Sequence, residues 1–319
     1  MRKTQNADLH HACLVVMLAS QLPSNSHART PLDANVVRQV VAPSSLTRSA
    51  ILAQPVLSRV QMQARDTRND LGPDTQARTP TEPLNETSVL SSFRLGFSNG
   101  DHHVKKISVL RQNEKALGTL SDNNGDDNYT FTASWWNIPG TVSGEVSGSA
   151  GHVWNLSTVT IPEGPPDTTL ALVGFSLALP EDREVKRLKV QLDGPSRSFM
   201  LSLQPSDNSS LGGGSYTLQY AWVPNSALKG NLTATGSGMG IGARAASQVS
   251  GTLPVDNRYI LRGFELGYND SNQSAQNLLR VGVHLTPAAN PNLDRDVVSW
   301  EDNDRNERIS WRVDYSPLK

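Results

Sequence analysis

The chain has 319 residues, of which 37 % are hydrophobic, 6 % aromatic and 18 % charged, and its formal net charge is −1. That balance excludes a polybasic nucleic-acid or membrane-surface binder, and no stretch approaches the roughly 20 apolar residues of a helical membrane span. A single cysteine, Cys13, excludes an internal disulfide framework, and 24 Gly with 19 Pro favour turns over long helices.

Arg2 and Lys3 open the chain, an apolar run follows over residues 12–19, and Ser26-His27-Ala28 offers a small-x-small site before Arg29. This order predicts a signal peptide over residues 1–28 and a secreted, extracellular protein. A disordered tail and a transit peptide are the competing readings of the same residues. Residues 29–85 are rich in Pro, Ser, Thr, Gln and Arg. They read as a disordered linker or pro-segment, in which residues 36–41 and 49–60 can form short helices. Residues 63–85 hold almost no large apolar side chains to offset ordering entropy.

The remaining chain repeats itself. Leu90-Ser-Ser-Phe93-Arg-Leu95-Gly-Phe97, Leu172-Val-Gly-Phe175-Ser-Leu177-Ala-Leu179 and Leu261-Arg-Gly-Phe264-Glu-Leu266-Gly-Tyr268 share Leu-x-x-Phe-x-Leu-x-apolar. The period of two predicts half-buried strands. A second strand follows each, at residues 104–109, 185–192 and 279–285. Then come loops that open on Asp122-Asn123, Asp207-Asn208 and Asp302-Asn303, and third strands at residues 129–135, 216–222 and 309–315. Further alternating pieces stand at residues 142–146, 157–161, 228–232 and 249–253. Strands joined by turns imply antiparallel sheets. The expected fold is all-β, with three tandem related antiparallel β-sandwich units after a disordered N-terminal segment. The units run over residues 86–140, 141–225 and 226–319.

Repeat three carries Asn277-Leu-Leu-Arg280-Val-Gly-Val283, then Trp300-Glu-Asp302, then a closing aromatic strand. This pattern resembles the H-type lectin domain. The resemblance implies a six-stranded β-sandwich that usually forms trimers and binds N-acetylgalactosamine-like sugars near Arg280, Trp300 and Asp302. Repeat one has Leu120 where the tryptophan would stand, and repeat two has Pro205 nearby. Asp101-His-His-Val104 followed by the loop at residues 122–127 is similar to uncharacterised bacterial β-repeat proteins, which implies no activity.

Asp122, Asn124, Asp126 and Asp127 crowd oxygen ligands into one loop. The loop reads as a solvated hairpin turn, as a calcium site or as a surface for sugar hydroxyls. It is not an EF-hand, because Gly125 is the fourth position and Ala133 the twelfth. His102-His103 has no partner at a metal-ligand spacing and reads as part of a polar turn. In Trp135-Trp136 the alternation sends one ring inward and Trp136 outward, where it would stack on a sugar or a partner. The stretch Gly236-Ser-Gly-Met-Gly-Ile-Gly242 reads as a loop or a closely approached strand, because no helix follows to make a phosphate cradle. Asn-x-Ser/Thr sequons stand at Asn85, Asn128, Asn155, Asn208, Asn231, Asn269 and Asn272. No nucleophile elbow or Ser-His-Asp order is present. These features predict a non-enzymatic exported binding protein, lectin-like, with a carbohydrate or cell-surface glycan as partner. No organic cofactor is expected, and calcium is the candidate ion. The rival reading is a structural or assembly protein that acts through protein–protein contacts. Neither nucleic acid nor a transmembrane segment is expected.

Overall fold

Alternating apolar and polar side chains make strands, and the described residues form eighteen of them, with one short 3-10 turn and no α-helix. The computed structural model describes residues 36–40, 57–64, 76–78, 83–97, 100, 102–122, 129–152, 157–193, 197–205, 212–239, 258–268, 277–284, 298–301 and 308–319. All of these lie in one compact unit, Asp33–Lys319. The expected signal peptide lies outside the described residues.

Three short strands come first: β1 (Val36–Val40), β2 (Ser58–Ala64) and β3 (Gln76–Arg78). The first repeat supplies β4 (Ser88–Phe97), β5 (Val104–Gln112), β6 (Lys115–Ser121) and β7 (Tyr129–Asn137), and then β8 (Val142–His152) and β9 (Ser157–Thr160) follow. The second supplies β10 (Thr168–Arg183), β11 (Val185–Leu192), β12 (Ser198–Pro205) and β13 (Gly212–Pro224), followed by β14 (Leu232–Met239). The third supplies β15 (Tyr259–Tyr268), β16 (Arg280–Val283), β17 (Val298–Glu301) and β18 (Arg308–Pro317).

These strands make three antiparallel sheets, ordered β1-β8-β13-β10-β5-β6-β3, β14-β18-β15-β11-β12-β9 and β17-β16-β4-β7-β2. The expected all-β, antiparallel, sandwich-like architecture is therefore present. Its connectivity was not visible in the sequence pattern. Each motif strand pairs with the last strand of its own repeat on one side and with a hairpin lent by another repeat on the other. The β5-β6 hairpin joins β10, the β11-β12 hairpin joins β15, and the β16-β17 hairpin closes the circle on β4.

The pairing register recurs with the topology. Phe93 faces Val283, Phe175 faces Val109 and Phe264 faces Val190. Each motif strand also carries a bulge two residues before its phenylalanine, between Leu90 and Ser92, Leu172 and Gly174, and Leu261 and Gly263. A bulge adds twist, and here it turns the Phe ring toward the other two motif strands. Phe93, Phe175 and Phe264 meet with ring centroids 5.2 to 5.3 Å apart, each pair tilted or edge-on. This geometry favours aromatic pairs. The trio joins the core, which draws on all three sheets.

The short-helix expectation fails at residues 36–40 and 58–60. Val36–Val40 pairs with β8, and Ser58–Ala64 pairs with β7. Tertiary pairing at open sheet edges outweighs weak helical propensity there. The third-strand alignment also needs a two-residue shift in repeat two. Leu95, Leu177 and Leu266 face Phe131, Tyr216 and Trp311, so Tyr216 corresponds to Phe131 and not to Tyr129. The glycine-rich stretch begins on strand β14, where a Cβ on Gly236 would lie 2.5 Å from the Trp311 ring.

Candidate functional site

The bulge in β10 has a polar consequence. It leaves the main chain of Arg111, at the end of β5, without a ladder partner on β10. Gln219 on β13 reaches over β10 to supply one. Its Oε1 accepts from the Arg111 N–H at 2.8 Å, and its Nε2 donates to the Arg111 carbonyl at 2.7 Å. The reach depends on Gly174, because a Cβ there would lie 2.6 Å from Gln219 Oε1 and 2.6 Å from the Val109 carbonyl oxygen. Gln219 Nε2 also donates to Glu145 Oε2 at 2.9 Å.

The Arg111 side chain turns back toward the start of β4. Its Nη1 donates to the carbonyls of Asn85 and Ser88, and its Nη2 donates to Ser143 Oγ at 3.0 Å. Ser143 Oγ donates onward to the Glu86 carbonyl at 2.6 Å. An Asx turn sets these carbonyls, with Asn85 Oδ1 accepting from the Thr87 N–H at 2.8 Å. Burial pulls the Arg111 guanidinium down to about 10, against the opposing pull of Glu86 and Glu145. It therefore stays charged at neutral pH.

Around this network lies a cleft of about 690 Å³, lined by Glu86, Arg111, Asn113, Glu114, Glu145 and Gln219 among others. Asn113, at the β5-β6 turn, has a φ of 55°, a conformation Asn tolerates better than most residues. The cleft gathers three carboxylates around one internally anchored guanidinium, chemistry that accepts hydrogen bonds from hydroxyls or ammonium groups. A second cavity, of about 30 Å³ beside Leu177, Leu201 and Tyr216, is apolar and has room for little more than a water molecule.

The same sheet position is filled differently elsewhere. In the six-stranded sheet Asp314 takes the place of Gln219, opposite Gly263, and it binds Thr233 Oγ1 at 2.5 Å and Arg312 Nη2 at 3.1 Å. In the five-stranded sheet Ser92 and Ser134 share a 2.6 Å hydrogen bond. At the Arg111 position the next hairpin has Leu192. Gln219 is thus replaced by a different polar residue in each of the other two sheets.

The residues expected to bind fall elsewhere. Trp136 is 7 % exposed and Trp300 2 % exposed, so neither ring presents a face to solvent. The expectation of an outward Trp136 fails because a second apolar cluster, including Val89, Val173 and Ile260, covers that side of the sheet. Trp135 lies inward as expected, and its Nε1 donates to the Val173 carbonyl at 3.0 Å. Trp300 packs edge-on against Tyr268 at 5.8 Å. Arg280 lies across Gly96, whose Cβ would meet its Nε at 3.0 Å. Asp122 is buried, with Oδ2 3.4 Å from His102 Nδ1. That contact assigns it an internal partner. His103 lies 3.6 Å from Glu184 and 4.0 Å from Asp182. Asp302, Asn124, Asp126 and Asp127 lie outside the described residues. Among the described residues no group of three or more His, Cys, Asp or Glu is placed to hold a metal ion.

Sequence reasoning missed Glu86, Arg111, Glu145 and Gln219. One signal was available: Arg111 stands two residues after Val109, where Leu192 follows Val190 in the second repeat. No protein-family model matches the chain, and no curated protein matches it.

Proposed function

We propose that the protein is a non-enzymatic, exported binding protein that takes a hydroxyl-rich, carbohydrate-type ligand in the Glu86–Arg111–Glu145 cleft. The observation that carries this reading is the cleft itself, which sets Glu86, Glu114 and Glu145 around the anchored Arg111. The corresponding positions hold other polar pairs, Asp314 with Thr233 and Ser92 with Ser134, and in the six-stranded sheet Leu192 stands where Arg111 does. The Arg111 donors and the Gln219 amide are engaged by the protein itself, so they hold the walls. The carboxylates are the groups that meet the ligand, accepting hydrogen bonds from its hydroxyls. Recognition then rests on polar contacts without an aromatic platform, which fits a weak, millimolar affinity.

Titration of the full chain with N-acetylgalactosamine and a panel of neutral sugars, followed by amide NMR, tests the reading. Saturable shifts at Glu145 and Gln219 that Glu145→Gln abolishes are expected. Absence of saturable shifts with every sugar overturns it. A structural or assembly role has one observation in its favour: β14 ends its sheet, and its Leu232 is 42 % exposed. An edge strand of this kind can pair with another chain.

A further inference from the structure

The carboxylates of the cleft differ from others on the molecule in how their charge is met. Glu265 holds Arg187 Nη1 at 3.3 Å and Lys189 Nζ at 3.1 Å, and Asp314 holds Arg312 Nη2 at 3.1 Å. Glu181 holds Arg183 at 2.8 Å, and Glu163 holds Arg197 at 3.0 Å. Each of these acids has a base of the protein beside it.

The cleft has a base too, but its donors are turned elsewhere. Arg111 gives Nη1 to the carbonyls of Asn85 and Ser88 and Nη2 to Ser143 Oγ. Glu86 and Glu145 act on the guanidinium through space, and among the described residues no carboxylate makes an ion pair with it. Glu145 Oε2 accepts from Gln219 Nε2 at 2.9 Å. Its Oε1, and the carboxylate oxygens of Glu86 and Glu114, accept no hydrogen bond from the described residues. Arg38 stands opposite Glu145 on the β1-β8 ladder; with it counted, Glu86, Glu114 and Glu145 still outnumber Arg111 and Arg38 by three to two. Glu86 and Glu145 are half-buried, whereas Glu114 and Asn113 are exposed at the mouth. The cleft's 690 Å³ is the size of a small-molecule site, about 300–1,000 Å³, and far more than one ion needs.

We propose that the ligand of this cleft is a cationic amino sugar, a hexose ring that carries a free ammonium group. This rests on the carbohydrate reading above and names the class of sugar. An ammonium brings one positive charge and three N–H donors. It settles against Glu86 and Glu145, whose open oxygens accept those donors, while Glu114 and the Asn113 amide at the mouth take ring hydroxyls. A neutral sugar leaves the excess negative charge unmet, and an anionic one is repelled. N-acetylation removes the charge and leaves an amide with a single donor, so it should weaken binding.

Amide NMR of the full chain, titrated with glucosamine, N-acetylglucosamine and glucose at matched ionic strength, tests this. Methylammonium chloride is the control for charge alone. Glucosamine is expected to saturate the shifts at Glu145 and Gln219 at about one tenth of the concentration the two neutral sugars need, because charge-assisted hydrogen bonds outweigh neutral ones. Glu86→Gln and Glu114→Gln each remove one charge and leave the Gln219–Arg111 joint in place. Each should reduce the preference for glucosamine by about threefold. Equal affinity for the three sugars overturns this inference and leaves the carbohydrate reading standing. No saturable shift with any of them overturns that reading, and the inference with it. Methylammonium binding as tightly as glucosamine, or a preference unchanged in both variants, overturns the amino-sugar assignment.

Discussion

Gln219 holds the main chain of Arg111 by both its N–H and its carbonyl, across a separation of 108 residues and over the intervening strand β10. A side-chain amide here does the work of a strand. The bulge at Val173 interrupts the ladder, and Gln219 restores the two hydrogen bonds it removes. The cleft therefore exists because a backbone irregularity needed for the core is repaired from one side by a polar group.

Gln219→Leu should leave the Arg111 N–H and carbonyl without protein partners at the cleft wall. With 1–3 kcal/mol for each buried group left unsatisfied, and water able to reach the cleft, the expected loss is about 1–3 kcal/mol. Gly174→Ala should cost a similar amount, because its Cβ would take the space of Gln219 Oε1. Urea unfolding midpoints measure both. The double variant should be less destabilised than the sum, since either change breaks the same two bonds.

The Phe93, Phe175 and Phe264 cluster predicts a different kind of coupling. Each phenylalanine is fully buried and touches the other two. Truncation to Ala should cost about 3–5 kcal/mol each. Because the trio ties three sheets together, each single variant should lower one cooperative transition and not release one sheet alone. Coincident circular dichroism and tryptophan fluorescence transitions are the check.

Much of the strand content was legible, and the reason is local. Period-two alternation reports which face of a strand is buried, and it located β4, β11 and β15 closely and the middle of β10. It carries no information about which strand will lie alongside. The exchange of hairpins between repeats was invisible for that reason, and so was a cleft whose Glu86, Arg111, Glu145 and Gln219 come together only after the exchange. Trp136 marks the same boundary. Its side of the strand was read correctly, but the apolar Val89, Val173 and Ile260 that cover it come from three different motif strands. Residues 36–40 were misread because a short edge strand has little pattern of its own and is fixed by its partner β8.

The acidic loop yields a prediction through its described first residue. Asp122 is buried beside His102, with 3.4 Å between Oδ2 and Nδ1, and His102 stacks on Phe97 at 4.6 Å. Asp122→Ala should therefore destabilise the fold by about 1–3 kcal/mol, as expected when a buried polar contact loses one member. The loss should be equal in EDTA and in millimolar calcium. Thermal melts under both conditions decide the matter, and a loss confined to calcium-containing buffer would make Asp122 a metal ligand instead.

Burial of His284 gives stability a dependence on pH on the acid side. Its ring is held at about 4 by burial and by the facing charges of Arg94 and Arg280, whereas an unfolded histidine titrates near 6.5. Between these two values the unfolded chain binds a proton that the folded chain does not. Stability therefore falls as pH drops from about 6.5 toward 4, by up to about 3 kcal/mol at the lower end, and the slope flattens below that, where both states are protonated. His284→Gln removes the titrating group while keeping a polar side chain of similar reach. Its unfolding free energy should decline less steeply than that of the parent chain over this window, and the two should run parallel above pH 7. Denaturant melts at half-unit pH steps give the comparison. Parallel curves throughout would show that the His284 ring is protonated in the folded state as readily as in the unfolded one.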